Sequence, residues 1–215
     1  MNIVVFDLPA VVSYDRKSIR QLLLASVNEA YRLDIGYHEV DWSANCSGIV
    51  LELYKNAYGK FPGIAEYESA QEGFKQKLRE YYLSGEELFE VRSGIQNLFY
   101  QLDKREDWNY YVISDFWHKD TLFLLNSCGV HSKNINLYTA DDALSMEDVF
   151  SKIANKVSYK KPISLYQATV ETKITIPSAK NVILKAFPLQ KQLSANYFEY
   201  PKFNDIFKKQ NTVLK

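Results

Sequence analysis

Three side chains of different chemistry stand where the pattern of the chain breaks. Asp7 closes the apolar run 3–6, Ser114 closes the apolar run 110–113, and Lys161, with Lys160 before it, precedes Pro162. Short apolar runs rich in Val and Ile read as strands buried on both faces of a parallel sheet. In open parallel sheets, ligands bind beyond the carboxyl ends of the strands. A carboxylate, a hydroxyl and an ammonium arriving there in that order are the groups of a polar site. Asp115, beside Ser114, is a second carboxylate at the same edge. Each residue alone has a plainer reading: a strand-end Asp caps the next turn, and a lone Ser or Lys-Pro says little. His38, His118 and His131 share no metal-ligand spacing and read as surface or structural histidines, although His118 follows Ser114 by four residues. Cys46 and Cys128 have no metal-ligand spacing either and read as reduced thiols.

The elements that would position these residues follow from periodicity. Ile19, Leu22, Leu23, Ser26, Val27 and Ala30 recur at helical spacing, with Asp15 as N-cap. Residues 47–58 and 65–82 make two more helices, the second bounded by Pro62-Gly63 and Ser84-Gly85. No strand signal falls within 14–88. Beyond it, a helix over 95–102 leads to the strand 110–113. A helix over 119–127, closed by Gly129, leads to a strand over 136–138. A helix is expected over 146–154, and Lys160-Lys161-Pro162 is expected to open another to about residue 173. Strands at 182–184 and 197–200 and a short helix over 203–209 complete the reading. Strands alternating with helices predict βαβ units and a parallel sheet. The helical block after the first strand is too long for a simple crossover. The expected architecture is a doubly wound α/β core, residues 1–13 and 89–215, with an inserted helical cap, 14–88.

This ordered set resembles the haloacid dehalogenase (HAD) superfamily, in its phosphoglycolate phosphatase-like subgroup with a helical cap. VVFDLPAVV is similar to the family's first motif, a strand followed by Asp-x-Asp-Gly-Thr. YYVISDF resembles the second, whose hallmark is Ser or Thr, and KKPISLY the third, Lys-Pro. VRSGIQNLFYQL resembles the return of the chain from cap to core. The resemblance implies that Asp7 is a nucleophile forming an aspartyl-phosphate. It implies that Ser114 donates to a phosphoryl oxygen, that Lys161 or Lys160 offsets the charge, and that carboxylates hold Mg²⁺.

The chain departs from that pattern at two places. The family's second Asp, its general acid/base, is Pro9 here, followed by Ala10-Val11 in place of Gly-Thr. The fourth motif is expected after the strand at 182–184, where KAFPLQKQL holds Lys185 and no acid. Asp7, even with Asp115, is a poor ligand set for Mg²⁺, a hard cation that favours oxygen-rich octahedral sites. Loss of acid–base help costs typically about 10²–10⁴-fold, and loss of the metal removes several kcal/mol more. Metal-free haloacid dehalogenases also lack the second acid, but their water-positioning groups do not resemble KAFPLQ.

The expected protein is therefore HAD-like with a degenerate phosphatase site. Mg-dependent activity is weak or absent, as in a pseudoenzyme, with no metal or cofactor held. It binds a phosphorylated small molecule or a protein partner. The alternative is an active phosphatase or hydrolase acting on a small phosphorylated metabolite through Asp7, with Mg²⁺. Composition supports a globular chain: 47% hydrophobic and 24% charged residues, with no net charge. Residues 150–215 hold twelve Lys, no Arg and three acids, which leaves the first 149 residues with the balancing negative charge. Scattered Lys without Arg read as a solvated surface, so nucleic acid is not the expected partner. No apolar run reaches the roughly 18 residues of a membrane span, and no basic segment precedes the first strand, so it is read as a strand of a cytoplasmic protein and not as a signal peptide.

Overall fold

A computed structural model describes residues 2–85, 89–131, 135–145, 148–149 and 151–153, and the backbone of the strands 163–168, 182–186, 190–191 and 198–199. β1 (Asn2–Asp7) is the centre of a five-stranded sheet. β4 (Trp108–Ile113) and β5 (Asn136–Tyr138) lie on one side of it. β6 (Ile163–Ala168) and β7 (Val182–Ala186) lie on the other, and the order is β5-β4-β1-β6-β7, parallel throughout.

Both faces of the central strand are buried, which is why its sequence shows no polar alternation. Val4, Phe6, Tyr110 and Val112 join the larger core cluster. Ile3, Val5, Tyr111 and Ile113 point the other way and pack with Val149 and Ile153. On the first face lies α5 (Ile95–Asp103), where Phe99 stacks on Tyr110 at 4.8 Å and meets Phe6 edge-on at 5.3 Å. α6 (His118–Ser127) follows β4, and Gly129, with φ 73°, lets the chain reverse after it.

Between β1 and α5 stands the helical block. α1 (Leu8–Val11) is a single turn leading to β2 (Val12–Ser13), which pairs antiparallel with β3 (Glu90–Val91). This two-residue ribbon joins the outgoing and returning chain. The periodicity of the sequence does not reveal it, because strands this short leave no alternation to read. α2 (Arg16–Tyr31), α3 (Cys46–Tyr58) and α4 (Ile64–Ser84) fill the space between, where helices are expected. Asp15 caps α2, accepting from the backbone N–H of Lys17 and Ser18. Asn45 caps α3 through Gly48 N at 3.0 Å.

Two expectations are corrected. No helix follows Pro162: residues 163–168 form β6, which runs beside β1 with Asn2 opposite Ser164 and Phe6 opposite Ala168. The strand at 182–184, taken as the one preceding the fourth motif, is part of β7 and lies one place further out. A six-residue apolar segment has the same local appearance in a helix and in a buried strand, and pairing with β1, about 160 residues away in the chain, decides between them. The expected helix at 203–209 lies outside the described residues. The expected strand at 197–200 appears as β9 (Phe198–Glu199), paired with β8 (Gln190–Lys191).

Candidate functional site

The carboxyl ends of β1 and β4 bring Asp7 and Ser114 together. Asp7 pairs with Ile113 in the sheet register, so Ser114 is the next residue along the neighbouring strand. Both are buried, 5% and 1% exposed. The parallel register alone produces this adjacency, since both apolar runs stop at the same level.

Asp7 is the N-cap of α1: its Oδ1 accepts from Ala10 N at 2.9 Å. Pro9 sits inside that first turn, where a missing N–H costs nothing. It therefore suits the turn while offering no side-chain oxygen. Arg92 clamps the same turn from the returning chain, with Nε donating to Pro9 O at 2.9 Å and its backbone N–H to Val11 O at 2.9 Å.

Ser114 Oγ accepts from Phe116 N at 3.1 Å and lies 2.8 Å from Thr121 Oγ1. The Thr121 hydroxyl is also 3.0 Å from Trp117 O, and it has one proton for two acceptors. Ser114 is thus built into the start of α6. Asp115 turns toward the cap: its Oδ2 binds Arg16 Nη2 at 2.5 Å, a charge-assisted pair between side chains 27% and 22% exposed. Its carbonyl accepts from Cys46 N at 2.9 Å.

Around these groups the cap is stitched to the core. The Asn45 amide donates to Ala143 O, and Ser47 Oγ donates to Ala140 O at 2.7 Å. Gly48 is needed here: a Cβ on it would lie 2.8 Å from Leu144 O and 2.9 Å from Ala44 Cβ. Tyr14 packs against Phe89 and Phe116, and burial, with Asp115 adding to it, pushes its phenol well above the usual range. Burial does the same to the Cys46 thiol, so it stays protonated and is no thiolate nucleophile. The cavity lined by Arg16, Arg20, Trp42, Cys46, Asp115 and Phe116 holds about 20 Å³, room for one water and no more.

Lys160 and Lys161 lie outside the described residues. β6 ends at Ala168, which lies opposite Phe6, one residue before the end of β1, and the first acid beyond it, Glu171, is outside the described residues. Lys185 sits opposite Tyr166 on β7. His118 is exposed at the start of α6, with its backbone N–H on Asp141 Oδ2 at 2.8 Å. Sequence reasoning missed Arg16, Arg92 and Thr121. Each reaches the strand ends from 7 to 99 residues away along the chain, and no local signal marks it.

Among the described residues, the donors present do not make a site for the magnesium ion that the fold family implies. Among the described residues no group of three or more His, Cys, Asp or Glu could hold a metal ion. Asp7 is engaged as a helix cap and Asp115 by a guanidinium.

No protein-family model matches the chain, and no curated protein matches it. Solved structures do. A β-phosphoglucomutase candidate from Bacteroides vulgatus superposes with a TM-score of 0.54 at 13% identity, over 100% of this chain and 90% of that one. A hydrolase from Pseudomonas syringae superposes with a TM-score of 0.52 at 17% identity, over 77% and 75%. At such identities the likeness is one of fold: this chain has the HAD-like Rossmannoid fold, an α/β core with a cap.

Proposed function

We propose that this HAD-like protein carries a degenerate phosphatase site, with little or no Mg²⁺-dependent turnover, and acts by binding a phosphorylated ligand or a protein partner. One observation carries the reading: the two carboxylates at the strand ends are both committed to structural partners, Asp7 Oδ1 to Ala10 N and Asp115 Oδ2 to Arg16. Pro9 stands two residues after Asp7 and has no proton to transfer. Loss of a positioned acid costs about 10²–10⁴ in rate, and a missing metal removes several kcal/mol of charge stabilisation in addition. The negative half of the chain comprises the cap and the first part of the core, and neither a membrane nor nucleic acid is the proposed partner. No helix of the described residues is long and apolar enough to cross a membrane.

A second reading is favoured by one fact, the side-by-side placement of Asp7 and Ser114 at adjacent strand ends. In it the chain is an active phosphatase on a small phosphorylated metabolite, with Asp7 as nucleophile and Lys161 or Lys160 as the cation. A panel of phosphate monoesters, assayed with and without Mg²⁺ beside Asp7→Asn, separates the two. The first reading expects no hydrolysis above the variant's background. Turnover that rises with Mg²⁺ and disappears in the variant would establish the second. A thermal-shift series with the same monoesters then reads binding without turnover.

A further inference from the structure

A cavity of about 330 Å³ lies between α4 of the cap and the start of α6, and neither Asp7 nor Ser114 lines it. Its rim is formed by Glu72, His118, Lys119 and Asp141, all exposed. Its floor is Trp117 and Asp120, 1% and 2% exposed. Two of the rim carboxylates have partners, while the Lys119 ammonium stands at the same rim. Lys75 Nζ is held by both oxygens of Glu72 at 2.6 Å, and Asp141 accepts from His118 N. Asp120 makes no hydrogen bond or close ion pair among the described residues, and only the more distant charges of Arg79 and Lys75 act on it as cations.

Asp120 stands in the first turn of α6, where the helix dipole favours a carboxylate. That accounts for its tolerance but leaves its oxygens without a donor. Burial outweighs the pull of Arg79 and Lys75 on this carboxylate, and a cation that enters the cavity offsets the remainder. A tryptophan forming the adjacent wall favours an organic ammonium over a strongly hydrated inorganic ion. The described residues also contain no cluster of three metal-binding side chains, which argues against a divalent metal. We propose that this cavity binds the ammonium end of a small primary amine, with Asp120 as its counter-ion and Trp117 as its aromatic wall. This site is separate from Asp7 and holds whether or not phosphate chemistry survives there.

Titration of the full chain with n-butylammonium chloride at pH 8, against sodium chloride at equal ionic strength, tests the proposal. Two readouts are taken: the melting temperature, and the ¹⁵N–¹H signals of the three indoles, with Trp117 identified by its loss in Trp117→Phe. The expected result is a saturable shift of the Trp117 indole, with Trp42 and Trp108 unmoved. A rise in melting temperature should accompany it, persist in Asp7→Asn and vanish in Asp120→Asn. No saturable change, or an equal change in Asp120→Asn, would overturn it. Should Asp120→Asn fail to fold, the wild-type titration decides alone, through whether the Trp117 indole moves and saturates.

Discussion

Asp7 shows how one carboxylate can be claimed by two roles. As an N-cap it needs only an acceptor oxygen, and asparagine caps nearly as well as aspartate. Asp7→Asn should therefore leave the urea midpoint almost unchanged, whereas Asp7→Ala, which removes the acceptor for Ala10 N, should lose about 1 kcal/mol. Equal losses in both variants would mean that the negative charge, and not the cap, is what the fold uses. Asp120 presents the opposite case, a carboxylate whose charge the fold tolerates poorly. Burial pushes its carboxyl up to about 6, against the pull of Arg79 and Lys75 and with a push from Asp141 and Glu72. In the unfolded chain it titrates near 3.8, so between these values the folded state binds more protons, and stability falls as the pH rises. Asp120→Asn should thus be more stable than the parent at pH 8, by on the order of 2 kcal/mol, and nearly equal to it at pH 3.5. Urea melts across that range read the difference directly.

At the scale of elements, the start of α2 and the N-terminus of α3 are fastened to the loop after β4. The Arg16–Asp115 pair is partly exposed, so its worth is modest, about 0.5–1 kcal/mol. Its position matters more than its energy, because the Asp115 carbonyl also receives Cys46 N. Replacing Arg16 with Met should leave global stability within about 1 kcal/mol yet speed hydrogen exchange at the Cys46 amide. Unchanged exchange there would show that α3 is held by Asn45 and Ser47 alone. The cap helices were legible because each presents a long 3.6-residue stripe, opened by Asp15 or Asn45 in α2 and α3 and bounded by Gly63 and Gly85 in α4. β6 was not, since Ile163, Leu165 and Tyr166 suit either a buried strand or a helix turn.

For the molecule as a whole, cap and core share one hydrophobic cluster. It runs from Val4 and Phe6 in the sheet through Phe116 and Trp117 to Phe74 on α4 and Ile19 and Leu23 on α2. Phe74 is fully buried, with ring centroids 5.8 Å from Phe116 and 5.6 Å from Trp117. Phe74→Ala should cost about 3–5 kcal/mol, and it should lower a single transition seen alike by circular dichroism and tryptophan fluorescence. Two separated transitions would show that the cap unfolds independently and that the shared cluster does not couple it to the sheet.

The strands that lead to Asp7 and Ser114 and the inserted helices were readable from the sequence, because apolar runs and helical stripes are local and each is long enough to have a period; the HAD-like fold was an expectation from the resemblance of three short motifs. The sequence also shows Pro9 in place of an acid, a matter of residue identity that no folding can change. What only the tertiary structure decided is non-local: which strand lies beside β1, that Asp115 answers to Arg16 across 99 residues, and that α4 and α6 enclose a cavity floored by Asp120. These depend on packing between distant segments, where free energy is set by shape and partner and leaves no periodic trace in the chain.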